Sequence, residues 1–279
     1  MSIAQHEVRP YILQLEVTND CNLDCDICMR KTSKRRIGYL DFKDFRKLPL
    51  KDFKEIAFHG WGEPFLHPEL FEMIDHANSL GIRTSLITNG TLLEERMEEL
   101  LESNIDSIAV GIFAIDGKKK VLEAMEKLSR ELSRKGLEIE TWMDITITRY
   151  NLEDIPRLVE FAGRNGFNVN LHRLFALHNP RIEKTSIIEE VRACISARKA
   201  GKKFGIRIHC PDPRSRPCKV ALTTIFISWD CKVSPCCFLC EMGYQYGDAL
   251  NLDFDRILES HWKFMEEMKR NETCRKCPW

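Results

Sequence analysis

Short β-rich runs alternate with helical patterns along most of this chain, an order that restricts it to parallel βα units. Strands are expected over residues 12–17, 55–59, 83–88, 107–112, 140–147 and 167–174. Helices are expected over 68–80, 92–103, 118–135 and 155–165, with turns at Asn89-Gly90 and Asn165-Gly166. Six such units take up roughly 195 residues, whereas a closed eight-unit barrel needs about 250, so an open, partial (β/α)6 barrel is the expected α/β fold. A helix over 186–203 closes this region. The texture then changes: residues 209–240 are rich in Cys, Pro and β-formers, 223–227 and 231–238 read as a hairpin, and 254–269 reads as an amphipathic helix. The expected organisation is a barrel over residues 1–205 and a small cysteine-rich domain, hairpin plus helix, over 206–279, built around a metal site.

Forty-two Lys and Arg balance 42 Asp and Glu, so no global field favours nucleic acid or an anionic membrane. The N-terminal residues lack the pattern of a signal peptide, and no apolar run approaches the ~18 residues of a membrane span. A cytoplasmic protein is expected. Its 12 cysteines would be poor disulfide candidates in a reducing compartment, so their clustering points to metal or redox chemistry.

Cys21, Cys25 and Cys28 form a CxxxCxxC run just after the first strand. Three thiolates so close can hold three corners of a [4Fe-4S] cubane and leave one iron open. The same spacing also suits zinc with a fourth ligand from elsewhere.

The sequence around this run resembles that of the radical S-adenosylmethionine (SAM) enzymes, which have TIM-like partial barrels. The resemblance implies that the three cysteines hold a [4Fe-4S] cluster and that the amino and carboxylate groups of SAM bind the fourth iron. Reductive cleavage of SAM would then yield a 5′-deoxyadenosyl radical. Gly62-Glu63-Pro64, within HGWGEP, resembles the family's GGEP motif for the methionyl amino group, with Trp61 in place of the first glycine. Glu63 would set an anion beside an ammonium, and Gly62 would let backbone approach closely. Thr88 and Asn89 resemble a run found near SAM. Asp116 matches half of a ribose-binding Ser-x-Asp, Ala114 replacing the serine. Ile27 occupies the usually aromatic position near adenine. All the motifs fall at the C-terminal ends of expected strands, where barrel enzymes place their sites.

Cys218, Cys236, Cys274 and Cys277, separated by 17, 37 and two residues, resemble the shortened "twitch" form of the SPASM domain, which holds one auxiliary [4Fe-4S] cluster. A zinc ribbon from the same residues is the alternative. Five cysteines remain: Cys194, a buried small hydrophobe on a helix, and Cys210, Cys231, Cys237 and Cys240, which are alternative ligands or redox thiols.

An auxiliary cluster can take an electron from a substrate radical. The layout is similar to that of the twitch-bearing aminocyclitol dehydrogenases, which implies oxidation of a small sugar or cyclitol, with His172 and Arg173 as candidates to handle the proton. Peptide maturation is a second reading, although only 20 residues precede Cys21, too few for a recognition domain there. Epimerisation with Cys240 or Cys237 as hydrogen donor is a third, and an iron-sulfur carrier or zinc-binding interaction protein without turnover a fourth. The basic run Arg30, Lys31, Lys34, Arg35 and Arg36 is either a solvated loop, a docking patch for an acidic electron donor such as flavodoxin or ferredoxin, or a hold for an anionic substrate.

Overall fold

The computed structural model describes residues 9–113, 117–175, 179, 181–211 and 218–277. In chain order the elements are β1 (Ile12–Leu15), α1 (Phe42–Phe45), β2 (Glu55–Phe58), α2 (Leu70–Ser79), β3 (Arg83–Thr88), α3 (Met97–Glu102), β4 (Ser107–Gly111), α4 (Lys119–Lys135), β5 (Glu140–Ile147), α5 (Ile155–Arg164), β6 (Asn168–Arg173) and α6 (Ile187–Gly201). There follow β7 (Ile208–His209), α7 (Lys219–Thr223), β8 (Thr224–Ile227), β9 (Lys232–Ser234), α8 (Cys237–Glu241), β10 (Gly247–Asp248), α9 (Phe254–Glu267) and α10 (Glu272–Lys276). The chain divides into two compact units, one within Met1–Ser85 and Arg214–Cys277, the other within Leu86–Pro213.

In the first unit β1 pairs in parallel with β2 on one side and β8 on the other, and β9 returns antiparallel to β8. Leu13, Leu15, Ile56, Phe58, Ile225 and Ile227 are all fully buried at this junction. All four residues of β8 are buried, which is why it reads as an unbroken β-run, TIFI, rather than an alternating one. Asp253 caps α9 by accepting from the Arg256 amide, and the helix turns Phe254, Ile257, Leu258, His261 and Phe264 inward. Phe254 meets Phe53 edge-on at 5.1 Å, so the C-terminal helix is fastened to the N-terminal part of the same unit.

In the second unit β4, β5, β6 and β7 run parallel in that order. Helix α4 buries Val121, Ala124, Met125, Leu128 and Leu132, a stripe at helical spacing, and ends where Gly136 takes φ +65°. Helix α6 starts in a capping box, Ser186 and Glu189 each bonding the other's backbone amide.

Two expected elements differ. The second hairpin strand stops at Ser234 because Pro235 cannot donate to a ladder, and Cys237–Glu241 turns helical instead. The helix expected from residue 92 begins at Met97: the Asn89 side chain accepts from the Thr91 amide at 2.9 Å, and the next residues form turns. Among the described residues, no helix is long and apolar enough to cross a membrane.

Candidate active site

The cysteine loop is closed at its base by Asn19. Its amide nitrogen donates to the Arg36 carbonyl at 2.8 Å and its oxygen accepts from the Gly38 amide at 3.0 Å. Thr18 adds a bond from its hydroxyl to the Gly38 carbonyl at 2.7 Å. Within the loop the Leu23 amide donates to the Cys21 sulfur at 3.4 Å, the Cys28 amide to the Cys25 carbonyl at 3.0 Å, and Arg30 to the Leu23 carbonyl at 2.7 Å. Burial first, and then the nearness of Cys25 and Cys21, push the Cys28 thiol up to about 11. A cationic iron centre among the three would remove that cost, since a coordinating thiol is deprotonated outright. Ile27 is half-buried beside them.

The Gly62-Glu63-Pro64 segment is stapled to this loop. The Glu63 amide donates to the Asp20 carbonyl at 2.7 Å. A Cβ on Gly62 would lie 2.2 Å from the Thr18 carbonyl oxygen and 2.6 Å from that of Asp20. The close approach that requires glycine is therefore to the root of the cysteine loop. Glu63 is 1% exposed and accepts from the Phe65 amide at 3.1 Å, capping the single turn that starts at Pro64. Trp61, in place of a glycine, donates its backbone amide to Glu16 and its indole nitrogen to the Cys237 carbonyl, both at 3.2 Å.

Cys218, Cys236, Cys274 and Cys277 line one apolar cavity, floored by Ala221, Leu239, Phe264 and Met268. Cys218 precedes α7, Cys236 precedes α8, and the last two sit on and just after α10. Helix α9 sets α7 in place, the His261 Nε2 meeting the Ala221 carbonyl at 2.6 Å. Burial, followed by the charges of Cys237, Cys274 and Cys277, pushes the Cys236 thiol well above its ordinary value. Four thiols in an apolar chamber fit a group that ionises them together and fills the space. Among the described residues, no three His, Cys, Asp or Glu side chains gather tightly enough for one ion. A cubane spreads its cysteines more widely, because each binds a different iron.

Cys231, Cys237 and Cys240 do not line the cavity. Cys231 takes φ +61° in the β8–β9 turn, where a glycine would be ordinary, and burial pushes its thiol up to about 12. Cys237 reaches about 12 by burial, opposed by a hydrogen bond to Gln14. Cys240, 1% exposed, reaches the same value by burial, opposed by Arg35. Arg35 is no part of a solvated patch. Its Nε donates to Glu241 at 2.8 Å and its Nη atoms to Glu16, so the basic run is split: Lys34 and Arg36 stay exposed while Arg35 turns inward.

In the second unit Thr88 closes β3, accepting the Gly90 amide at 3.0 Å, and Asn89 is half-buried beside it. Asp116 lies outside the described residues. His172 Nε2 sits 3.2 Å from Asp144 Oδ2, and Asn170 holds the other Asp144 oxygen at 2.9 Å. Burial pushes the imidazole pKa down, but the Asp144 hydrogen bond and charge outweigh it, leaving it raised. Arg173 is engaged by buried Glu190 at 2.7 Å. Sequence reading missed Asp144, although an aspartate inside the run WMDITI is a buried-polar signal. It also missed Glu16, the only acid in ILQLEV, and the loop clamp Asn19.

The radical SAM family model matches residues 15–162, and a SPASM model, an iron-sulfur cluster-binding domain, matches 218–278. This chain belongs to the radical SAM superfamily. Radical SAM proteins with SPASM domains use SAM, a [4Fe-4S] cluster and auxiliary clusters, which supersedes the zinc readings left open by spacing alone. The chain is 26% identical over 177 residues, 57% of its length and 50% of the relative's, to a tungsten-containing aldehyde ferredoxin oxidoreductase cofactor-modifying protein of Pyrococcus furiosus. It spans about half the length of the curated relatives it matches in this way. The fold of this radical SAM enzyme, an α/β partial TIM-like barrel with a cysteine-rich C-terminal region, is shared with two solved structures. Streptococcus suis SuiB bound to its precursor peptide SuiA aligns over 97% of this chain and 70% of its own, with TM-score 0.72 and 15% identity. BtrN in complex with AdoMet and 2-DOIA aligns over 96% and 93%, with TM-score 0.58 and 17% identity.

Proposed function

We propose that this radical SAM enzyme oxidises a small hydroxylated molecule, a sugar or cyclitol, passing one electron to an auxiliary [4Fe-4S] cluster held by Cys218, Cys236, Cys274 and Cys277. The reading rests on one observation: these four cysteines, drawn from three separate stretches of sequence, line a single apolar cavity. When bound, the Cys21, Cys25 and Cys28 cluster with SAM supplies the hydrogen-abstracting 5′-deoxyadenosyl radical. Around it, Asn19 and Gly62 hold the loop root together, and Glu63 presents a carboxylate for the methionyl ammonium. Thr88, Asn89, Asp116 and Ile27 are assigned to the rest of SAM. His172, oriented by Asp144, is assigned to accept the hydroxyl proton as the carbonyl forms, and Arg173 to hold that strand end through Glu190.

Epimerisation needs a thiol that faces substrate. Cys240 is 1% exposed and feels the charges of Arg35, Glu16 and Glu241, and its burial favours oxidation. Peptide modification remains the second reading because the fold is shared with SuiB in its precursor-peptide complex. The test is turnover in deuterated water by the anaerobically reconstituted enzyme on candidate cyclitols. A ketone with no enzyme-delivered deuterium supports the proposal; stable deuterium at an inverted carbon overturns it.

A further inference from the structure

Trp61 sits between β2 and the Gly62-Glu63-Pro64 run, and its two N–H groups reach two other elements of the same unit. The backbone amide donates to Glu16, just past β1, and the indole nitrogen donates to the Cys237 carbonyl, both at 3.2 Å. The ring meets Phe238 with centroids 5.3 Å apart and planes at 64°, an edge-to-face contact. Cys237 and Phe238 are the first two residues of α8, the helix that follows Cys236. Phe238 lines the same apolar cavity as the four cysteines, whereas Trp61 packs on Phe238 and is not part of that lining. The other end of α8 is held in the same way, since Arg35 bonds both Glu16 and Glu241. One buried carboxylate, Glu16, thus anchors both residues that grip this helix.

We propose that Trp61 is a positioning residue for electron transfer: by fixing Phe238 as an apolar wall of the cavity, it sets the potential of the auxiliary cluster. The inference rests on the reading of Cys218, Cys236, Cys274 and Cys277 as ligands of an electron-accepting cubane. Four thiolates give such a cubane a net negative charge, and reduction adds another. Water favours the more highly charged form, so a wet cluster is reduced at a higher potential than a dry one. An aromatic wall keeps water away only while the wall is held in place.

Helix α8 cannot hold that wall unaided. It has five residues, and its N-cap, Cys236, makes no side-chain cap bond. So short a helix has little stability of its own, because its first turn fixes several residues for one hydrogen bond. Its position comes from outside: the indole donor at Cys237, the ring at Phe238 and the Arg35 guanidinium at Glu241. A glycine at position 61, as in the GGEP motif that this segment resembles, would offer neither the donor nor the ring. The substitution that departs from the motif is the one that reaches the second cysteine set.

The test is an anaerobic redox titration of the reconstituted holoenzyme, read by electron paramagnetic resonance. The auxiliary signal is the one that Cys274→Ala removes together with about four iron. At the potential where that cluster is half reduced in wild type, Trp61→Gly should raise its reduced-to-oxidised ratio roughly tenfold, which is about 59 mV for one electron, with about eight iron retained. Phe238→Ala should do the same, and the double variant should go no further than Phe238→Ala, because Trp61 acts through that ring. Trp61→Phe, which keeps a ring for Phe238 but loses the indole donor, should shift in the same direction by less, and it decides the matter if Trp61→Gly fails to load iron. A wild-type potential in Phe238→Ala or in Trp61→Phe, or shifts that add in the double variant, overturns the positioning role and leaves the cluster assignment standing. If Cys274→Ala removes neither iron nor signal, the cluster reading itself fails and takes this inference with it.

Discussion

Arg35 grips Glu16 with both terminal nitrogens, Nη1 to Oε2 at 2.7 Å and Nη2 to Oε1 at 2.8 Å. The Glu16 side chain is fully buried and that of Arg35 only 15% exposed. The same guanidinium bonds Glu241 on α8, so a single cation ties the end of β1 to the helix that follows Cys236. Removing one partner of a buried pair leaves an uncompensated charge, which costs about 3 to 5 kcal/mol. Arg35→Ala should lower the denaturant midpoint of the holoenzyme accordingly, whereas Glu241→Gln, which leaves the Glu16 fork intact, should cost much less. Equal midpoints for Arg35→Ala and wild type would refute a structural role for the pair.

Gly62→Ala tests the staple between the GEP segment and the cysteine loop. Its Cβ would meet backbone oxygens 2.2 and 2.6 Å away, and backbone cannot swing aside as a side-chain tip can. The variant should lose the first cluster and keep the second, so iron should fall from about eight to about four per chain. Gly111→Ala, whose nearest contact is an ordinary 3.5 Å, is the control and should keep both.

The auxiliary assignment separates four cysteines from their neighbours. Cys236→Ala or Cys274→Ala should remove about four iron, and Cys231→Ala, outside the cavity, should remove none. Iron lost on changing Cys231 and retained on changing Cys236 would move the ligand set.

Much of this was legible in sequence, for identifiable reasons. Strands such as Arg83–Thr88 and Glu140–Ile147 are rich in β-formers and lie between clear turn signals, and their observed bounds match the expected ones. The cysteine runs declare themselves by spacing. What stayed hidden depends on partners remote in sequence: β8 pairs with β1, and Arg35, indistinguishable within a basic run, finds Glu241 206 residues away. Pro235 was visible, yet the helical turn that follows Cys236 carries no side-chain cap to announce it, and a β-like composition conceals it.

His172 should report on Asp144. The folded-state pKa is raised above the ordinary histidine value, so the stability this pair contributes is fully present below about pH 6.5 and is lost as pH rises through the raised value. Asp144→Asn should lower the His172 pKa read by NMR and narrow its stability deficit against wild type as pH rises. An unchanged His172 titration would detach the two residues.

Glu63 needs a variant that separates its two roles, because its carboxylate already caps a turn by accepting from the Phe65 amide. Glu63→Ala removes both the cap, worth about 1 kcal/mol, and any charge-assisted contact to SAM. Glu63→Gln keeps an acceptor oxygen for Phe65 and removes only the charge. With both clusters reconstituted, Glu63→Gln should retain full iron and wild-type thermal stability while weakening SAM binding by about 1.5 to 3 kcal/mol, measured by equilibrium titration. If SAM affinity is unchanged in Glu63→Gln, the buried carboxylate serves the turn alone, and the methionyl ammonium is held by another group.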